Sequence, residues 1–355
     1  MRDRGRSSQL LPALALALAL ACGDDSTGAA TDSTSTGATT TTASTSASTS
    51  TSASSSSSST AGDASSTTST TASTTTSSTD DSASTTSAAD TTSTTTGDLE
   101  ITDFTAPGPF DVDTSDGAAP VGDGCSMSYT LYAPAGVDDG SLAIVAHGFS
   151  QNRGNMAQIA ARIASHGVRA VAPDLCHASF IDTDHPQNGA DLTLLAEALA
   201  PGGDVIYVGY SAGGLATFLA AASDDDTRAL LGLDPVDADG LAAAAAPGID
   251  APTLALHGEP GSCNNNGASF GLAALVPGAW ALRTIDGSHC DFQQDEGFAC
   301  GICGPNHPQV RALIVTLSAA FVAWQAGVDL SGEAWVTAGG APYEALVRDG
   351  AIEPL

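Results

Sequence analysis

The stretch Val205-Ile-Tyr-Val-Gly-Tyr-Ser-Ala-Gly-Gly-Leu215 decides how the rest of this sequence is interpreted. A short β-branched and aromatic run leads into Gly209-Tyr-Ser-Ala-Gly213 and continues with apolar residues spaced as on one helix face: Leu215, Phe218, Leu219 and Ala222. Glycines on both sides of Ser211 fit a sharp strand-to-helix turn, because larger side chains would collide with neighbouring backbone. Such a nucleophile elbow presents the serine hydroxyl at the N-terminus of the next helix, so Ser211 is the predicted nucleophile.

Short apolar runs alternate with helical patterns around this stretch, as a mostly parallel sheet with helices on both faces requires. Besides the run that begins at Val205, the predicted strands cover residues 126–132, 142–146, 168–172, 229–233, 252–256 and 280–285. Apolar spacing over residues 156–163 predicts a helix that stops at Gly167, and further predicted helices cover residues 191–200, the segment after Ser211 and a long apolar pattern over 308–324. This order predicts a single α/β domain over residues 99–355 with the α/β-hydrolase fold.

Residues 1–22 predict an export signal. Arginines in residues 1–8 precede an apolar run over 10–21, which is too short for a permanent membrane helix because a bilayer requires about 20 residues. The end of this run, Leu18-Ala-Leu-Ala-Cys22, resembles the lipobox of bacterial lipoproteins, in which Cys22 would be lipidated and become the mature N-terminus. Lipoboxes usually have leucine three residues before the cysteine, where this chain has Ala19, so an ordinary signal peptide cleaved nearby is the alternative.

Residues 23–98 contain only Ala, Ser, Thr, Gly and Asp. Because nothing in this composition offsets the conformational entropy of ordering, we expect a disordered Ser/Thr/Ala-rich linker with a reach of roughly 50 Å. The signal and the linker together predict an exported domain that is either secreted or attached to a membrane only through a lipid on Cys22.

The formal net charge is −30, and the sequence has no lysine. This balance disfavours nucleic acid or anionic lipid as a partner, since both carry negative charge. We expect a monomer, and no motif in the sequence implies a cofactor.

Four motifs resemble plant chlorophyllases in the same order, and the bacterial polyester hydrolases and cutinases are close to that pattern. They lie at 146–151 (Ala-His-Gly-Phe-Ser-Gln), 163–174, 209–214 and 231–237. A further segment, Gly287-Ser-His-Cys290, is similar to the serine-histidine segment after the last strand of polyester hydrolases. The resemblance covers roughly residues 126–327 and implies a serine hydrolase that cleaves carboxylic esters.

His289 is the predicted catalytic base, because it follows the last parallel strand, where the chain order serine, acid, histidine of this fold places it. A serine hydroxyl is a weak nucleophile at neutral pH, so a histidine must accept its proton and later return it to the leaving group. The predicted oxyanion hole uses the backbone N–H of Ala212, directly after the nucleophile, and that of Phe149, in the loop after His147.

The acid that orients His289 has three candidates. Polyester hydrolases take it from the loop after the strand before last, but that loop reads Glu259-Pro-Gly261 here, with glycine where the aspartate would stand. The preceding loop reads Gly232-Leu-Asp-Pro235 and resembles both chlorophyllases and the acid loop of pancreatic-type lipases. Asp234 is therefore the predicted acid, with Asp237 and then Glu259 as alternatives.

Six of the seven cysteines follow Cys22, and an even number in an exported domain predicts disulfides, whose pairing the sequence does not specify. They are Cys125, Cys176, Cys263, Cys290, Cys300 and Cys303. The last three follow His289, so we expect bridges that stiffen the histidine loop. A metal site from Cys300-x-x-Cys303 with His307 is the competing interpretation, and we expect no metal because no second paired ligand set follows.

These patterns predict a serine esterase for a small-molecule or polymeric ester. The alternative from another class is a non-catalytic, surface-tethered binding module on the same fold, supported by the absence of an acid after the strand before last. A third possibility, a serine peptidase, has no accessory domain in its favour.

Overall fold

The computed structural model describes residues 100–137, 140–294 and 298–355. The predicted signal, Cys22 and the linker over residues 23–98 lie outside the described residues, so these interpretations stay predictions.

The described residues form eleven strands. They are β1 (Val112–Pro120), β2 (Ser126–Pro134), β3 (Leu142–Ala146), β4 (Arg169–Pro173), β5 (Ala178–Ser179), β6 (Asp182–Thr183), β7 (Val205–Tyr210), β8 (Thr227–Leu233), β9 (Thr253–His257), β10 (Trp280–Thr284) and β11 (Ile352–Pro354). Nine of them form one sheet in the order β1-β2-β4-β3-β7-β8-β9-β10-β11, whereas β5 and β6 pair as a separate hairpin.

The six central strands of the sheet, β4 to β10 in that order, are parallel. Antiparallel strands complete both edges, with β1 and β2 on one side and β11 on the other. Strands β3, β7 and β9 are buried along their whole length, which explains their largely apolar sequences, because parallel strands are covered on both faces.

The helices are α1 (Ala157–Ser165), α2 (His185–Leu199), α3 (Ala212–Ala221), α4 (Leu241–Ala245), α5 (Phe298–Cys303), α6 (Pro308–Ala326), α7 (Glu333–Val336) and α8 (Ala341–Arg348). Single turns of 3-10 helix occur at Arg153–Met156 and His289–Phe292, and a longer irregular segment covers Ser262–Gly271. By length and composition α6 could cross a membrane, but two thirds of it (67%) is buried inside the domain, as in a core helix.

Two apolar clusters lie on opposite faces of the sheet, because successive side chains of a strand point to opposite sides. Val145 and Val208 join one cluster, together with apolar residues of α1 and α6. Ile144 and Tyr207 join the other, together with residues of α2 and α3. The domain is thus a mixed α/β structure with helices on both faces of a mostly parallel sheet, as the sequence predicted.

Local capping and long-range pairing account for the differences from the predicted elements. Helix α2 begins six residues earlier than expected because the Asp184 side chain caps it, accepting a hydrogen bond from the Gln187 N–H. The edge strands β1 and β11, the β5–β6 hairpin and helix α8 were not predicted.

Candidate active site

Ser211 lies at a sharp turn between β7 and α3. Its φ of 55° and ψ of −120° are unusual for a non-glycine residue. The flanking glycines are required by close packing: a methyl group on Gly209 would lie 2.3 Å from Thr217 Oγ1, and one on Gly213 would lie 2.2 Å from the carbonyl oxygen of His147. The turn therefore combines a strained backbone with space for glycine alone on either side of the serine.

His289 reaches this serine from the turn after β10. Its Nε2 lies 2.9 Å from Ser211 Oγ, and both side chains are almost fully buried. The turn is held by Asp291, whose carboxylate accepts hydrogen bonds from the backbone N–H groups of Ser288 and His307 and also contacts the His307 ring. His289 is thus presented by a hydrogen-bonded turn.

Asp234 follows β8 directly and lies on the other side of His289. Its Oδ2 is 2.6 Å from His289 Nδ1, and the residue is fully buried. Because a carboxylate oxygen only accepts, Nδ1 carries the proton and Nε2 is free to accept from the serine hydroxyl. The structure thus joins Ser211, His289 and Asp234 in one chain of hydrogen bonds.

The pKa of Asp234 reflects two opposing effects. Burial raises it, since a charged carboxylate is poorly solvated there, but the hydrogen bond from His289 and the electrostatic influence of the nearby His257 and His289 outweigh burial. The net pKa lies well below the ordinary value, so the carboxylate stays ionised at neutral pH.

The two alternative acids have other partners. Asp237 Oδ1 accepts a hydrogen bond from the backbone N–H of Ala242, at 2.7 Å, and so supports the start of α4. Glu259 forms an ion pair with Arg283, at 3.1 Å. Within the described residues neither carboxylate is hydrogen-bonded to His289, so the geometry favours Asp234.

Asn264 was not predicted as a site residue, yet it supports the acid directly. Its buried side-chain amide donates to Asp234 Oδ2 at 3.1 Å, while its carbonyl oxygen accepts from the backbone N–H groups of Gly261 and Gly267. The backbone N–H of Gly258 donates to Asp234 Oδ1 at 3.2 Å. The loop after β9, which lacks an acid of its own at Gly261, therefore contributes an amide to Asp234.

His257 is a second histidine beside this carboxylate and was not predicted either. It is fully buried, and its Nδ1 lies 3.7 Å from Asp234 Oδ1, too far for a hydrogen bond. Its ring packs against Phe270 at a centroid distance of 4.7 Å. His257 therefore acts on Asp234 through electrostatics, and its only sequence signal is its position at the end of a buried strand.

The residues predicted for the oxyanion hole lie on both sides of Ser211. Ala212 is the first residue of α3. Phe149 follows Gly148, where a methyl group would lie 3.1 Å from Ser211 Cβ. This loop is held by His147, whose Nδ1–H donates to the Gly148 carbonyl at 2.7 Å and whose Nε2 accepts from the Leu175 N–H at 3.0 Å.

This pair of hydrogen bonds requires a neutral His147, because imidazolium has no acceptor nitrogen. Burial lowers the pKa of His147 below its ordinary value, which is consistent with that state.

All six cysteines after Cys22 are paired, as Cys125–Cys176, Cys263–Cys303 and Cys290–Cys300. Helix α5 carries one cysteine of each of the last two bridges. One of these bridges begins next to His289 and the other next to Asn264, so α5 is linked to both loops that meet at Asp234. Three disulfides fit an oxidising, extracellular compartment.

The disulfides also bear on metal binding. Cys300 and Cys303 each lie in a different bridge, so neither thiolate is available to a metal. In the part of the chain that the structure describes, no group of three or more His, Cys, Asp or Glu side chains is arranged to hold a metal ion.

No model of a known protein family matches this chain, and no curated protein matches it in sequence. The resemblance to chlorophyllases and polyester hydrolases therefore rests on the motifs at 146–151, 163–174, 209–214, 231–237 and 287–290.

Proposed function

We propose that this protein is a serine hydrolase of the α/β-hydrolase fold that cleaves carboxylic esters through an acyl-enzyme. The observation that carries the proposal is the buried chain of hydrogen bonds from Ser211 Oγ through His289 to Asp234, with distances of 2.9 and 2.6 Å. The residues follow parallel strands in the chain order serine, acid, histidine, which supports the fold assignment.

The proposed reaction begins when Ser211 Oγ attacks the ester carbonyl carbon while His289 Nε2 takes the hydroxyl proton. Asp234 accepts from Nδ1–H, which keeps the imidazole in the required tautomer and stabilises imidazolium. His289 then returns the proton to the leaving alcohol. A water molecule, deprotonated by the same nitrogen, hydrolyses the acyl-enzyme and restores Ser211.

The negative charge that develops on the carbonyl oxygen needs donors that are already in place. We assign the backbone N–H of Ala212, at the positive end of α3, and that of Phe149, in the loop braced by His147. Each such donor typically lowers the barrier by about 3 kcal/mol.

The binding-module alternative is now weaker. Its support was the absence of an acid at Gly261, and the contact between Asp234 and His289 supplies a carboxylate from another loop. A peptidase would use the same three side chains, so peptide substrates must separate it from an esterase.

The site lies in a domain that we propose to be exported, with Cys22 lipidated and the segment 23–98 as the tether. The three disulfides support an oxidising compartment. Mass spectrometry of the mature N-terminus would distinguish lipidation at Cys22 from ordinary signal cleavage.

The first test is hydrolysis of p-nitrophenyl esters by the wild type and two variants. We expect Ser211→Ala to lower kcat by about 10⁶-fold and Asp234→Asn by about 10⁴-fold, because the first removes the nucleophile and the second leaves the wrong imidazole tautomer. Reaction with a fluorophosphonate should label the wild type and not Ser211→Ala.

Asp237→Asn is the matched control, since it neutralises a carboxylate that accepts a hydrogen bond from the Ala242 N–H and does not contact His289. Folded wild type that neither hydrolyses these esters nor reacts with the fluorophosphonate would exclude the enzyme and leave the binding module. Faster turnover of peptides than of esters would favour the peptidase.

A further inference from the structure

The hairpin formed by β5 and β6 has an unusual tip. Its two turn residues are Phe180 and Ile181, which are 50% and 99% exposed. Two-residue hairpin turns favour Asn, Asp and Gly, since these residues tolerate the required backbone angles. Turn chemistry does not account for two large apolar side chains here, and burial accounts for only half of Phe180 and for almost none of Ile181, which indicates a contact that the folded domain does not itself satisfy.

The base of this hairpin is firmly held. The backbone N–H of Ser150 donates to the Ala178 carbonyl at 2.6 Å, which joins the hairpin to the loop that carries Phe149. Asn188 exchanges two hydrogen bonds with the backbone of His177, at 2.7 and 3.0 Å. The preceding residue, Cys176, is bridged to Cys125. The apolar tip is therefore presented by an anchored support.

The tip also lies close to the proposed nucleophile. The Phe180 ring packs edge-on against the Phe149 ring at a centroid distance of 4.9 Å. Phe149 is adjacent to Gly148, where an added methyl group would lie only 3.1 Å from Ser211 Cβ. The Phe149 side chain thus connects the tip with the residues next to Ser211. A substrate group that extends from the site on this side would therefore contact Phe180 and then Ile181.

The charges around the tip restrict what it can bind. Asp182 follows Ile181 directly and is paired with His177 at 3.0 Å, and Asp184 lies two residues further on. Together with the net charge of −30, these carboxylates disfavour an anionic membrane surface. A neutral apolar group fits both the exposed side chains and the acidic surroundings.

We propose that the Phe180–Ile181 tip binds the apolar acyl chain of the substrate, so that the protein acts preferentially on esters of medium-chain and longer acids. This proposal rests on the proposed ester hydrolysis and adds its substrate class. The acyl chain runs from Ser211 past Phe149 onto the tip, which excludes water from one side of the chain.

The test compares p-nitrophenyl octanoate with p-nitrophenyl acetate. In the double variant Phe180→Ser/Ile181→Ser, we expect the ratio of kcat/KM for octanoate to kcat/KM for acetate to fall about tenfold, because only the longer chain reaches the tip. Leu330→Ser is the matched control: it removes an apolar side chain that is 62% exposed in the short segment after α6, and it should leave both values unchanged. An unchanged ratio in the double variant would overturn the proposal.

A binding measurement separates this proposal from the proposed catalysis. In the Ser211→Ala background, the double variant should bind p-nitrophenyl octanoate about tenfold more weakly in calorimetry. Absence of hydrolysis in the wild type would refute the proposed esterase activity. The calorimetric comparison would then still test whether the tip binds an acyl chain. Equal affinities of Ser211→Ala with and without the double substitution would show that it does not. A second outcome would also overturn the proposal. If the wild type binds phosphatidylcholine vesicles, the double variant does not, and the ester ratio is unchanged, then the tip contacts a membrane rather than the acyl chain.

Discussion

At the scale of single residues, the arrangement around Asp234 is the most informative part of the site. A buried carboxylate is costly unless hydrogen bonds compensate for its lost hydration. The Asp234 carboxylate accepts hydrogen bonds from the His289 ring, the Asn264 side-chain amide and the Gly258 N–H, and the His257 ring lies close by. Only one of these contacts involves the proposed base, so the others serve to position the acid.

Asn264→Ala should therefore impair catalysis through Asp234. Loss of the amide donor leaves Asp234 Oδ2 with one partner fewer, which should lower kcat/KM for p-nitrophenyl acetate by about 10-fold to 100-fold. The measurement is steady-state kinetics on protein whose melting temperature has been checked.

Asn265→Gly is the control in the same loop, because Asn265 is exposed and glycine tolerates its φ of 50°. Equal kinetics for Asn264→Ala and wild type would show that the amide does not position Asp234.

At the scale of elements, the fit between β7, α3 and the His147 loop depends on glycine. Gly213→Ala should lower the free energy of unfolding by about 2 kcal/mol or more, because the new methyl group would lie 2.2 Å from the His147 carbonyl oxygen and the backbone must move. Urea unfolding measures the change. Gly271→Ala, whose methyl group would meet no atom within 4 Å, should differ from wild type by less than about 0.5 kcal/mol.

Helix α5 gives a second prediction at this scale. Removing the Cys290–Cys300 bridge by a double alanine substitution should lower both the free energy of unfolding, by about 3 kcal/mol, and kcat/KM, because His289 adjoins the bridge.

Removing Cys125–Cys176 should lower the free energy of unfolding by about 4 kcal/mol, since this bridge closes a longer loop. The accompanying decrease in kcat/KM for p-nitrophenyl acetate should be smaller than for Cys290–Cys300. If kcat/KM on this ester does not change when Cys290–Cys300 is removed, the bridge does not stiffen the histidine loop.

At the scale of the whole molecule, stability should fall as the solution becomes acidic. The pKa of His147 is lowered by burial, so below about pH 6.5 the unfolded chain takes up a proton that the folded chain resists. The pKa of Asp234 is also lowered, which adds a further loss below about pH 3.9. His177 acts in the opposite direction, because Asp182 raises its pKa, but its partial exposure keeps the effect small.

Urea unfolding at pH 7 and pH 5 tests this pH dependence. The free energy of unfolding should decrease between pH 7 and pH 5, and a histidine whose pKa is lowered in the folded protein, such as His147, contributes at most about 1.4 kcal/mol per pH unit to this decrease. His147→Gln should reduce that decrease, whereas an identical decrease in wild type and variant would assign it to other groups.

The order of strands and helices could largely be predicted, since hydrophobic periodicity is a local property of the chain. Strands β3, β4 and β7 to β10 lie within a few residues of the predicted runs. The short strands β5 and β11 were missed because their sequences carry no period that distinguishes them from loops. Helix α2 was predicted with a late start because its capping residue, Asp184, lies outside the apolar pattern.

The sequence by itself determined the α/β alternation, the glycine-flanked turn at Ser211 and a short set of candidates for its partners. Only the tertiary structure decided which acid meets the histidine, because Asp234 and His289 are 55 positions apart and Ser211 and His289 are 78 apart. The same holds for the cysteine pairing, for Asn264 and for the contact between Phe149 and Phe180. Periodicity and turn chemistry act between near neighbours, whereas these contacts exist only once the sheet brings the ends of different strands together.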